Sequence, residues 1–188
     1  MPQRASLFLV AGNSATGKST LVKTLLKKSK HDVARCITTT TRPMRKGEIQ
    51  DVSYRFVTEE VFAKLLKKGA FLEHAVVFGN NYGTQKQDLE ALLSAGKNTF
   101  LILDLAGIKS VLDLRPDAIL IMLTAKRETI KNRLIKRGTD PKEIRERLAH
   151  LKEEKELLDL ADLVIATDKT TPRQVAGQVE AFMHHIIA

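Results

Sequence analysis

Apolar residues in this chain come in short unbroken runs separated by amphipathic stretches. SLFLVA (6–11), TFLILDL (99–105) and AILIML (118–123) are continuous runs of the kind found in strands of a parallel sheet covered on both faces. Between them the period changes. Leu21, Val22, Leu25 and Leu26 mark a helix running to Lys28. Val61, Phe62, Leu65 and Leu66 predict one over 59–68, stopped at Gly69, and another over 87–95 ends at Gly96. Charged helices are predicted over 128–137 and 141–158, on either side of RGTD. DLVIA (162–166) reads as a last short strand and 172–187 as a last helix. Alternating strands and helices predict an α/β doubly wound core. The stretch from about 38 to 90 breaks this rhythm. Residues 33–40, 53–57 and 70–78 are β-prone, RPMRKGE is a polar turn segment, and GNNYGT (79–84) is read as a loop. This stretch looks like a β-rich insertion.

Composition narrows the class. At 188 residues, with 43% hydrophobic and 28% charged residues, the chain suits one globular domain with a real core. The single Cys36 excludes an intramolecular disulfide framework and a cysteine-rich zinc site, and fits a reducing cytoplasm. It reads as a buried small residue. No apolar run approaches the ~18 residues of a membrane span. The net charge is +9, and residues 1–50 hold 10 Lys/Arg against 2 Asp/Glu. A basic N-terminal quarter calls for a polyanion. With 5% aromatic residues and no Trp, a base-stacking platform is poorly supported. Nucleotide phosphates account for the charge without a nucleic-acid or membrane partner.

One motif supplies those phosphates. Gly12, Asn13, Ser14, Ala15, Thr16, Gly17, Lys18 and Ser19, followed by Thr20, match G-x-x-x-x-G-K-[ST], after an apolar strand and before an amphipathic helix. Glycines let backbone N–H groups curl around phosphate oxygens. Lys18 reaches the β/γ-phosphates, Ser19 offers a hydroxyl to Mg²⁺, and the helix dipole points at the same anion. Asp104 closes the run TFLIL, where α/β sheets place ligand groups. It is a magnesium partner, a base reader or a helix N-cap.

The segment TTTTRPMRKGE sets Arg42 and Arg45 three residues apart, a spacing that can clamp one phosphate from two sides. Tyr54 and Tyr82, the only tyrosines, follow turn-prone sequence and can donate to the same phosphate. Glu73 and Asp104 are carboxylates beside β-like runs, suited to the paired N–H donors of guanine. His74 beside Glu73 lines the same pocket or packs. Taken in order, GNSATGKST, TTRPMRKGE, YRFVT, GAFLEHAVVFGNNYGT, LDLAG, RLIKRGTD and ADLVIATD resemble the guanylate kinase family over nearly the whole chain.

The resemblance implies an α/β P-loop kinase: a parallel sheet flanked by helices, an inserted β-rich acceptor-binding subdomain and a helical lid. It implies a core of about 1–37 and 91–188, a lid of about 126–147 and a GMP-binding subdomain of about 38–90. The activity implied is phosphorylation of GMP by ATP with Mg²⁺, in a monomer or homodimer. Arg42, Arg45, Tyr54 and Tyr82 would hold the GMP phosphate, and Thr38, Glu73, Thr84 and Asp104 would recognise guanine. The loop from Gly12 to Thr20 would hold ATP, with Arg133 against the adenine. Lys18, Arg42, Arg137 and Arg147 would be the catalytic residues, with Arg137 and Arg147 reaching the transferring phosphoryl group. Residues 126–147 carry 9 Lys/Arg against 4 Asp/Glu, in keeping with a cationic lid.

The chain departs from the family pattern at Asn13 and Ala15 in the loop, at Asp51 and Ser53 before Tyr54, and at Asn81 beside Tyr82. It departs again at Ile102 and Ala106 around Asp104, and at Thr167. Two other readings compete with this one. A non-catalytic phosphopeptide-binding module of this fold would typically lack Lys18, which is intact. A kinase acting on another phosphorylated acceptor, such as a sugar phosphate, fits poorly with Glu73 and Asp104 together.

Overall fold

A computed structural model of the chain describes residues 5–187. The chain divides into two units, 1–8 with 31–118 and 9–30 with 119–188. The first strand, β1 (Leu7–Ala11), passes from one unit into the other and is buried along its whole length.

In the first unit, β2 (Val33–Arg35) pairs in parallel with β7 (Asn98–Ile102), and β7 neighbours β1. Phe8 and Phe100 stack there with ring centroids 4.9 Å apart. The inserted region forms a second sheet in the order β4-β3-β6-β5, from β3 (Thr39–Thr40), β4 (Arg55–Phe56), β5 (Phe71–Val77) and β6 (Asn80–Gln85). Three helices belong to this unit: α2 (Glu59–Lys67), α3 (Lys86–Ser94) and α4 (Leu105–Leu114). Thr58 caps α2 by accepting from the Val61 N–H, and Phe62 on its inner face stacks 4.5 Å from Phe71.

In the second unit, β8 (Ile119–Thr124) pairs in parallel with β9 (Leu163–Ala166), and β8 neighbours β1. α1 (Lys18–Lys28) and α7 (Pro172–Ile187) pack together. α5 (Arg127–Lys136) and α6 (Pro141–Ala149) are joined across Gly138, and Asp140 caps α6 with Pro141 in its first turn. Ile130, Leu134, Ile144 and Leu148 from these two helices form one buried cluster with Ala15. No helix among the described residues is long and apolar enough to cross a membrane.

Three local expectations are corrected. GNNYGT is a strand: only Phe78 and Gly79 turn, with φ of 47° and 75°, and Val77 already faces Asn80 across a tight hairpin. Pairing with β5 overrides the turn propensity of Gly and Asn. The run TFLILDL stops being a strand at Ile102, because Asp104 caps α4, a helix the sequence reading did not include. The helix expected over 141–158 ends at Ala149 and continues as a 3-10 helix over 150–157.

Candidate active site

The phosphate loop lies wholly in the second unit. Gly12 has φ of 137°, and a Cβ there would stand 2.3 Å from the Leu123 carbonyl oxygen, so only glycine fits. Ala15 also holds a left-handed backbone, φ 62°, where a glycine would cost less, and its methyl sits in the α5–α6 apolar cluster. Gly17 caps α1 without a side-chain hydrogen bond, and no acidic residue occupies the first turn. The N–H groups and dipole of α1 are thus left for an anion. Lys18 Nζ donates to the Gly12 and Asn13 carbonyls, folding back over the loop it belongs to. Thr16 Oγ1 donates to Asn13 O at 2.8 Å, which fixes the turn. Ser19 and Thr20 are exposed at the start of α1.

One arginine from α5 and one from α6 bind the loop directly. Arg147 donates to Ser14 Oγ and, at 2.6 Å, to Glu143. Arg133 donates to Ala15 O at 3.0 Å and to both Thr167 Oγ1 and Thr167 O, at 3.0 and 2.5 Å. Thr167 is buried, and its own hydroxyl donates a hydrogen bond to Thr124 O at 3.1 Å. Beside them is a cavity of about 270 Å³ lined by Arg133, Arg137, Thr167 and Thr170, with Leu21, Leu123, Pro172 and Val175 as apolar wall. That composition suits a flat, partly apolar group with hydrogen-bonding edges, next to a phosphate cradle.

The residues expected to hold the acceptor lie in the first unit. Arg42 donates twice to Glu48, at 2.8 and 3.0 Å, and once to Pro43 O at 2.6 Å. Burial works against its charge, but the bonds to Glu48, with a contribution from Tyr82, raise its pKa on balance. The backbone N–H of Arg45 donates to the same Glu48 carboxylate at 2.8 Å. Tyr54 and Tyr82 meet edge to face with centroids 6.1 Å apart. Arg42 and Arg35 each stand over the Tyr54 ring, at 5.4 and 5.5 Å. Burial raises the pKa of the Tyr54 hydroxyl, against the pull of Arg35 and Arg42.

The carboxylate pocket is built on β5, β6 and α4. A register shift between Phe71 and Glu73 brings Glu73 opposite Thr84, and Thr84 Oγ1 donates to Glu73 Oε1 at 2.7 Å. Glu73 is 5% exposed. Burial pushes its carboxyl above the ordinary 4.5; the Thr84 bond opposes this and nearby Asp104 adds to it. Asp104 accepts from the Gly107 N–H at 2.8 Å, so of its three readings the structure contains the N-cap. A Cβ on Gly107 would lie 2.9 Å from Glu73 Oε2 and 3.4 Å from Asp104 Oδ1. Thr38 is buried immediately before β3, an inner strand of the second sheet, with its carbonyl accepting from Arg55 N–H at 2.9 Å. His74 points outward and is exposed, because side chains alternate along β5.

Each expected set lies within one unit: Gly12 to Thr20 with Arg133, Arg137 and Arg147 in the second, and Thr38, Arg42, Arg45, Tyr54, Glu73, Tyr82, Thr84 and Asp104 in the first. Sequence reasoning missed Glu48, Gly107 and Arg35. Glu48 had a signal, a carboxylate three residues after Arg45; so did Arg35, a charge inside a β-prone run. Gly107 had none, since its neighbour Glu73 is distant in sequence. Cys36 is fully buried as expected, and burial pushes its thiol up to about 12, which makes it unreactive.

A glycine loop between a buried strand and a helix whose N-terminus no side chain caps, on an α/β sheet, defines a P-loop nucleotide-binding protein. A family model described as guanylate kinase matches residues 4–184. The guanylate kinase of Neisseria meningitidis serogroup A is 39% identical over 188 residues, covering 98% of this chain and 88% of that protein. That of Enterococcus faecalis is 36% identical over 171 residues, covering 90% and 84%. The crystal structure of guanylate kinase from Anaplasma phagocytophilum shares the fold, with a TM-score of 0.79 over 98% of this chain and 87% of that one at 24% identity. The chain belongs to the guanylate kinase family.

Proposed function

We propose that this protein transfers the γ-phosphoryl group of ATP to the phosphate of GMP, giving ADP and GDP. The observation that carries the choice of acceptor is the first unit's pairing of a buried, Thr84-bonded carboxylate, Glu73, with an arginine–tyrosine cluster. The carboxylate accepts from the ring N–H and amino group of guanine, and Thr84, Thr38 and Asp104 complete the base site. Arg42, Arg45, Tyr54 and Tyr82 take the phosphate. In binding, the phosphate competes with Glu48 for Arg42.

On the donor side, Lys18 exchanges its loop carbonyls for the β/γ-phosphates, and the N–H groups from Gly12 to Thr20 surround them. The cavity at Arg133 and Thr167 takes the adenine. Arg137 and Arg147 neutralise charge on the moving phosphoryl group, Arg147 leaving Ser14 to do so. Phosphoryl transfer is served by positioning and charge neutralisation, and the acceptor phosphate is already an anion, so no proton-abstracting base is needed. Mg²⁺ fits the exposed Ser19 hydroxyl at the start of α1, a hard oxygen donor; the ion prefers few protein ligands and supplies charge neutralisation on the donor phosphates when bound.

The test is ADP release with ATP, Mg²⁺ and each nucleoside monophosphate in turn. GMP should be preferred strongly. ADP release with GMP no greater than with AMP, CMP or UMP refutes the acceptor.

A further inference from the structure

Besides Arg45, three arginines of the first unit lie on or next to Tyr54, in space or in sequence, and two of them are neutralised. Arg42 is held by Glu48, and Arg55 by Asp51 at 3.0 Å and Asp88 at 2.6 Å. Arg35 makes no salt bridge among the described residues. Its Nη2 donates to a neutral carbonyl, Ser53 O, at 2.7 Å. Its Nε is buried without a hydrogen-bond partner. Its guanidinium rests on the ring of Tyr54 at 5.5 Å, while Arg42 rests on the same ring at 5.4 Å. A half-buried guanidinium with an unsatisfied nitrogen and no carboxylate is costly to fold around, and groups left in that state are often kept for function.

We infer that Arg35 is a positioning residue of the acceptor site, acting through Tyr54 to favour a phosphate dianion. The inference rests on the proposed GMP site and says how that site is charged. Two effects follow from the geometry. The guanidinium fixes the Tyr54 ring from the Ser53 side, which limits where the hydroxyl can swing. It also brings a positive charge beside the phenol, and a phenol next to a cation is a stronger hydrogen-bond donor to an anionic oxygen. Glu48 offsets Arg42 until the acceptor arrives, so Arg35 adds to the positive potential that first attracts the dianion. The charged and titratable groups facing Tyr54 are Arg35, Arg42, Glu48 and Tyr82.

The experiment compares wild type, Arg35→Met and Arg35→Lys in the full chain. Binding of GMP, guanosine and inorganic phosphate is measured by calorimetry, and kcat and KM by ADP release. Arg35→Met should weaken GMP and phosphate about tenfold, the size of a lost cation–ring and charge contribution, and leave guanosine unchanged. The effect should fall on the KM for GMP, with kcat and the KM for ATP within about twofold on the same reasoning. Arg35→Lys should recover part of the loss, since it restores charge but not the planar stack. The chain has two tyrosines and no Trp, so an ultraviolet titration reads Tyr54 and Tyr82 with little background. In Arg35→Met one tyrosine should ionise at higher pH than in wild type, a shift that a scaffold role would not produce. If wild type binds GMP no tighter than guanosine, the acceptor-phosphate site itself is wrong. If GMP is tighter but Arg35→Met weakens GMP and guanosine equally, or neither, the role of Arg35 is wrong and the site stands.

Discussion

Gly107→Ala separates the stability of this protein from its activity. Gly107 lies in the first turn of α4, with no positive φ, so alanine suits its backbone. By helix propensity alone the substitution should stabilise by about 1 kcal/mol. The new methyl, however, would stand 2.9 Å from Glu73 Oε2, inside ordinary van der Waals contact at 3.4 Å and beyond. The carboxylate must move by roughly 0.5 Å or more, and such overpacking costs about 1–3 kcal/mol. Its other oxygen is tied to Thr84 at 2.7 Å, so moving it strains a bond worth about 1 kcal/mol. The net destabilisation should be ~1–2 kcal/mol. The loss of activity should be larger. A small displacement of a group that positions substrate can cost on the order of 100-fold, so kcat/KM for GMP should fall about 30- to 100-fold while the KM for ATP holds. The assay is ADP release over a range of GMP, with thermal unfolding followed on the same samples. A double-mutant cycle supplies the control. With Glu73→Ala already present there is nothing for the methyl to displace, so adding Gly107→Ala should leave GMP activity where Glu73→Ala put it and raise stability by about 1 kcal/mol. Retention of GMP kcat/KM within about threefold in the single variant, or an equal loss in both backgrounds, would refute the steric argument.

Glu73→Gln should lower kcat/KM for GMP by about 2–4 kcal/mol while sparing weak activity on other monophosphates, because the amide faces guanine's donors with a donor of its own. Arg42→Ala should depress all monophosphates together, and the same substrate pattern from both variants would undo the division of roles. The raised Glu73 pKa gives two slopes of opposite sign. The folded state holds the proton more tightly than the unfolded one, so this group's contribution to stability is full below 4.5 and is lost as pH rises through the raised value. GMP affinity should rise over that same window, as the ionised acceptor forms. Unfolding and binding measured against pH should show both slopes in wild type and neither in Glu73→Gln. Lys18→Ala should cost ~3 kcal/mol of barrier, and turnover within about tenfold of wild type would remove Lys18 from the chemistry. Gly12→Ala should lose ATP binding and about 3 kcal/mol or more of stability, since its Cβ would meet a backbone oxygen that cannot step aside; near-native unfolding and ATP affinity would contradict the loop geometry.

The features legible in the sequence are local ones. The phosphate loop was readable because its chemistry lies within nine consecutive residues, and the strand and helix on either side confirm it. The runs SLFLVA and AILIML announce buried parallel strands because both faces must be apolar at once. The acceptor motif TTRPMRKGE was readable for the same reason. What the sequence left open is set by partners far along the chain. GNNYGT has the composition of a loop and becomes β6 because β5 offers it a ladder. Asp104 carried three readings, and only the first turn of α4, with Gly107 N–H waiting for an acceptor, shows that it caps the helix with one oxygen. The pairing of Glu73 with Gly107 and that of Arg35 with Tyr54 each join residues 19 or more positions apart, by contacts that no period or spacing encodes. Local chemistry follows from the identity of neighbours in the chain. The charge state of a carboxylate, the fate of an unpaired guanidinium and the room left beside a glycine follow from neighbours in space, which exist only once the chain has folded.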